Sequence, residues 1–237
     1  MKALKVAAWA LSAALYAALG YIFYVIFPIT TPGLGLVRFW PQAVIPAVFA
    51  VVFGPWVGGL GAAVGIFIAD MFIHGNALLS LSAGVTSNFV MFALLGYVSN
   101  KKFDWKIPVL VFGLISAFLV GLSYFFLEPP PYGFWYQMLA FGIIIGSYVA
   151  FVLIVMLTSK WRSFVTGCML GLLSGSAIIG FTVPIVIQIP LAPAGLIYFL
   201  WNFVTEIPFL LVLGPPVIKA VYWAFPSLRP TEEREKA

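Results

Sequence analysis

Charge is scarce in this chain, and with it the residues that catalysis usually needs. Only 8% of its 237 residues are Asp, Glu, Lys or Arg, with one histidine and one cysteine, whereas soluble domains carry roughly a quarter charged residues. The lone Cys168 excludes an intrachain disulfide and sits in an apolar run, where a thiol serves as packing. One histidine and one buried thiol cannot supply convergent donors, so no metal site is expected. No Gly-Lys dipeptide occurs, so the chain has no Walker A phosphate loop, and any ATP hydrolysis belongs to another chain. An intramembrane serine hydrolase would need a histidine facing Ser174 or Ser176, yet His74 falls near a membrane surface. An aspartyl protease would need a second intramembrane aspartate beside Asp70, and Asp104 lies in a basic loop. Neither an enzyme nor a cofactor is expected.

What the chain has is apolar sequence. It is 63% hydrophobic with a mean hydropathy of +1.12, which reads as an all-α, polytopic bundle of six to eight membrane segments in one integral membrane domain, residues 1–237. Eight apolar runs can be marked, at about residues 4–27, 41–53, 56–73, 79–99, 107–127, 134–158, 163–188 and 194–214, most near the roughly 20 residues that cross a hydrocarbon core. The first exceeds the roughly 7–15 apolar residues of a cleaved signal and reads as a retained span. The second is short. Gly-Pro pairs at Gly54-Pro55 and Gly214-Pro215 mark helix ends, and residues 215–237 read as an interfacial helix followed by a cytoplasmic tail.

With both termini inside, Lys2, Lys5, Lys101, Lys102, Lys106, Lys160, Arg162, Lys219, Arg229, Arg234 and Lys236 all fall on the cytoplasmic side, leaving Arg38 alone among 12 basic residues outside. The net charge of +5 is thus a topology signal, and nucleic acid is not an expected partner.

Small residues recur at helical spacing. Gly58, Gly61 and Gly65 strip one side of the third run for close helix packing, and Gly142 with Gly146 and Gly167 with Gly171 and Gly175 repeat the device. The first run carries Ala3, Ala7, Ala10, Ala14, Ala17 and Ala18, for which packing within the chain competes with docking on a separate subunit.

Polar groups at membrane depth cost a few kcal/mol and need a partner or a task. Asp70 ends the third run and either pairs with Arg38 or helps line a ligand site. Glu206, followed two residues later by Pro208, has no basic residue at its depth and reads as a ligand or proton group as readily as a structural one. Asn88 and Asn202 sit mid-run. Arg38 and Trp40 side by side suit capture of a planar or anionic solute, as they suit a lipid phosphate. Gln42, His74, Glu128 and Gln137 complete the outer ring.

An alanine-laddered first helix, an outer loop, a short helix ending in "FGPWVGG", a glycine-rich third helix ending in Asp, and a fourth reading "SAGVTSNFVMFALLGYV" together resemble the substrate-binding S components of energy-coupling factor transporters. The likeness covers about residues 3–100 and is looser beyond; that family typically has six helices against eight runs here. The resemblance implies a plasma-membrane protein that captures a vitamin or other small organic micronutrient outside. It would dock through Ala7, Ala10, Ala14 and Ala18 onto a transmembrane coupling subunit carrying two cytoplasmic ATPase subunits. Arg38, Trp40, Gln42, Asp70, Asn88, Asn202 and Glu206 are the expected substrate-binding set. The metal-taking branch of that family uses a Met-His start, and this chain begins Met1-Lys2. A proton-coupled secondary transporter is the alternative, although no inverted repeat is evident.

Overall fold

The structure, a computed structural model, describes residues 2–31, 34–127 and 133–229. The expected tail beyond residue 229 and the outer-side Glu128 lie outside the described residues. Among the described residues eight helices follow in order: α1 (Lys2–Ile26), α2 (Pro41–Phe53, its first turn 3₁₀), α3 (Pro55–Ile73), α4 (Ala77–Ser99), α5 (Lys106–Leu127), α6 (Gly133–Leu157), α7 (Arg162–Val186) and α8 (Leu191–Ala224). Seven are long and apolar enough to cross a bilayer. The exception is α2, whose thirteen residues span about 20 Å at 1.5 Å per residue. The chain is an all-α, multi-pass membrane protein, as its hydropathy requires: within lipid, a helix satisfies its own backbone polar groups.

Close contacts set the helix order. A Cβ on Gly61 would lie 2.6 Å from Ser12 Oγ, and one on Gly65 would lie 2.8 Å from the Ala13 carbonyl, so α3 runs parallel to α1 with the backbones nearly touching. A Cβ on Gly58 would stand 2.6 Å from Ala50 Cα, which seats α2 against the start of α3. Between them Gly54 adopts φ +110°, a conformation open to glycine, and Pro55 opens the next helix at its first turn. Along α7, Gly167 and Gly175 give way to the Leu95 carbonyl and the Met91 side chain of α4, an antiparallel pairing.

The bare face at Gly142 and Gly146 behaves differently, because a Cβ there would meet nothing within 4 Å. Both lie on α6, which with α5 forms a mostly exposed flank held by Tyr148 Oη donating to the Val109 carbonyl at 3.1 Å and Gln137 Nε2 to the Tyr124 carbonyl at 2.9 Å.

One boundary differs from the sequence expectation. The helix does not stop at Gly214-Pro215; α8 continues through Pro215 and Pro216 to Ala224, 34 residues in all. Ile218, 1% exposed, is buried in the main core beside the half-buried Val221 and Tyr222. This anchorage offsets the backbone bonds that the prolines forgo.

Candidate functional site

The loop between α1 and α2 does not stay at the bundle's end. Trp40, at its base, is buried and donates from Nε1 to Tyr16 Oη at 2.7 Å. Tyr16 lies ten residues before the end of α1, roughly 15 Å along the helix axis. The loop therefore descends about half a bilayer into the bundle, where irregular backbone is tolerated only against protein or a cavity. Its own hydrogen bonds cover part of the need: Thr31 N–H donates to the Val37 carbonyl at 2.8 Å, and Phe39 N–H to the Ile29 carbonyl at 2.9 Å. Gly35 and Leu36 turn the tip with φ near +67° and +62°. Phe39 then packs edge-on against Phe209 of α8, ring centroids 5.4 Å apart.

This descent carries Arg38 inward. Its Nη2 donates to Asp70 Oδ1 in a buried ion pair, and its guanidinium lies 4.9 Å from the Trp40 ring centroid. The carboxylate of Asp70 is held from two further sides. Ser80 Oγ donates to Oδ2 at 2.7 Å, and His74 Nε2 approaches Oδ1 at 3.4 Å. His74 Nδ1 accepts from the Asn76 N–H at 3.0 Å, leaving Nε2 to carry the proton that faces Asp70.

Ser80 opens a π-helical turn, Ser80–Val85, inside α4. Such turns break the regular side-chain phase and cluster at functional sites. Here the turn brings Gly84 so close that a Cβ on it would lie 2.8 Å from Asp70 Oδ2. Glycine at this position gives α4 its access to the carboxylate.

A second network lies below the first. Tyr16 Oη, fully buried, accepts from Trp40 and donates to Asn88 Oδ1 at 2.6 Å, while Asn88 Nδ2 donates to the Gly84 carbonyl at 2.9 Å. On the far wall, Asn202 Nδ2 of α8 donates to Ser176 Oγ of α7 at 3.0 Å. One turn along α8, Glu206 is 2% exposed and its Oε2 has no hydrogen-bond partner.

These groups surround one cavity of about 530 Å³, open space at its mouth included. Six of the seven residues nominated from sequence line it: Arg38, Trp40, Asp70, Asn88, Asn202 and Glu206, joined by Leu36, Val37, Ile66, Ile179 and Val183. Gln42 does not line it. It is buried in the first turn of α2 with both amide atoms unpartnered, near Gly20 of α1. Gln137, also named for the outer ring, belongs to the α5–α6 flank. Among the described residues no cluster of three His, Cys, Asp or Glu side chains could hold a metal ion.

Several contributors escaped sequence reasoning. Ser80 and Gly84, which with the nominated Asn88 recur every four residues on α4, belong to a polar and bare stripe that the hydrophobicity of the run concealed. Ser12, Tyr16 and Gly20 do the same on α1, forming its buried side. On another side of α1, Ala7, Ala10, Ala14 and Ala18 are all exposed, so the ladder has no partner within the described chain. Comparison with protein-family models, curated proteins and solved structures finds no match to this chain.

Proposed function

We propose that this chain is the substrate-binding membrane subunit of an energy-coupling factor type importer. It takes a vitamin or other small organic micronutrient from outside the plasma membrane and hands it on with a transmembrane coupling subunit and two cytoplasmic ATPases. The observation that carries this reading is the cavity. A loop folded down into the bundle closes one wall, and the polar residues that lipid would penalise converge on it. The same chain leaves a small-residue face of α1 exposed for a helix to approach. Reconstitution tests it: the chain should purify with a coupling subunit and its ATPases, and uptake into vesicles should need ATP on the ATPase side. Uptake by the chain alone, driven by a pH gradient, would refute it.

One observation favours the proton-coupled secondary transporter instead, namely Glu206, a buried acid with an unpartnered oxygen on the cavity wall. In that reading Glu206→Gln abolishes the dependence of uptake on the proton gradient.

A further inference from the structure

Among the described residues, one carboxyl on the cavity wall stands without a charged partner. The cavity lining contains three charged or titratable groups besides Glu206, namely Arg38, Asp70 and His74. Arg38 is bound to Asp70, and His74 faces the same carboxylate. Among the described residues no Lys, Arg or His nitrogen lies within 4.0 Å of Glu206. Nor do its neutral neighbours supply a donor. Asn202 directs Nδ2 to Ser176, and Asn88 spends its amide nitrogen on Gly84. A carboxyl oxygen 2% exposed and without a donor is a cost the fold carries, and groups left in this way require a reason.

We infer that Glu206 is the recognition point for an organic cation, whose N–H donors reach Glu206 Oε2 while its planar body lies against Trp40, Ile179 and Val183. Three ligand classes can be compared on the chemistry of the walls. An anion would enter a cavity that already holds Asp70 and Glu206, where Arg38, although its Nε has no partner, has its charge matched by Asp70. A neutral solute without N–H or O–H donors would leave Oε2 as it is. A cation with N–H groups supplies both a charged partner for the carboxyl and the missing donor, and a delocalised one, such as an amidinium or a protonated amino-heterocycle, loses less hydration on burial than a compact ammonium. The apolar walls and the aromatic ring favour a flat body behind that head group.

This inference rests on reading the cavity as a solute site, but not on the identity of the importer's partners, so it is tested on the purified chain alone. Thermal unfolding and equilibrium binding in detergent are measured with guanidinium, benzamidine, its neutral isostere benzamide, and benzoate. Benzamidine should raise the melting temperature with concentration and bind about tenfold or more tighter than benzamide, the scale of one charge-assisted hydrogen bond, and benzoate should have no effect. Glu206→Gln should bring benzamidine and benzamide to about equal affinity. The ranking on the unsubstituted chain stands as a separate test if that variant does not fold. Stabilisation by benzoate, equal binding of benzamidine and benzamide to the unsubstituted chain, no response to either cation, or an unchanged ranking in Glu206→Gln would each overturn the inference. Failure of the importer reading would show instead as uptake independent of ATP and of a coupling subunit, whatever the probe ranking.

Discussion

The pair between Arg38 and Asp70 makes the strongest quantitative demand on this structure. The two side chains are only 10% and 4% exposed, so neither charge can turn to water if the other is removed. Breaking a buried pair from one side costs about 3–5 kcal/mol, mostly for the charge left behind. Asp70→Asn keeps the shape and a carbonyl oxygen that can still accept from Ser80, which reduces the expected loss to about 2–4 kcal/mol. Arg38→Gln should fall in the same range, since it strands the carboxylate while leaving it the hydroxyl of Ser80. Because each single variant pays for a stranded charge and the double variant strands none, Arg38→Gln with Asp70→Asn should cost clearly less than the sum, with a coupling of about 1.5 kcal/mol or more.

Unfolding by titration of a denaturing detergent into mild micelles reads those energies. A second assay reads the loop. Cys168 is fully buried, so the parent chain should be silent to a maleimide, and Leu36→Cys places the only reactive thiol at the loop tip. Asp70→Asn should raise its labelling rate about thirtyfold or more, because an opening free energy lowered by about 2 kcal/mol changes the open fraction by that factor. Additive energies in the cycle, or a labelling rate indifferent to Asp70, would refute the claim that this pair holds the loop in the bundle.

Other consequences follow from single contacts. Tyr16→Phe leaves Asn88 Oδ1 and Trp40 Nε1 buried without their shared partner and should cost about 2–4 kcal/mol in the same titration. Gly171→Leu drives a side chain at the Met91 carbonyl and should destabilise by about 3 kcal/mol or prevent folding. Gly142→Leu, facing open space, should stay within about 0.5 kcal/mol or gain from helix propensity. Ala14→Trp on the exposed side of α1 should leave ligand-induced thermal stabilisation intact while abolishing ATP-driven uptake in the assembled importer; unchanged uptake would remove the docking role.

The helices were legible because hydrophobic runs near twenty residues have few other uses, and the limits of α3 and α7 came close for that reason. Gly54-Pro55 was legible as a break because glycine's φ and proline's missing N–H act locally. Gly214-Pro215 carries the same letters and does not break α8, since the outcome there depends on Ile218 finding the core. No local rule contains that contact. The two glycine ladders on α6 and α7 look alike in sequence and differ only in whether a neighbour is present.

The candidate site was legible for a related reason. In a chain with 8% charged residues, each polar group inside a run is conspicuous, so Arg38, Asp70, Asn88, Asn202 and Glu206 could be named from their chemical cost and Trp40 from its aromatic face beside Arg38. What sequence could not supply was depth. Arg38 stood out as the one basic residue on the wrong side of the charge asymmetry, and a pair with Asp70 was one of two readings, with nothing local to say how deep it would lie. Once the loop descends along Tyr16, that exception acquires a cause: the guanidinium is carried to Asp70, where a positive charge is worth more than at either surface. The same descent explains why α2 is short. The loop takes the place of turns that a full-length helix would add at its start, and the cavity that Glu206 lines lies beside it. Lengthening α2 and pairing Asp70 with a residue of its own helix would make a more regular bundle, and would leave it no room for a solute.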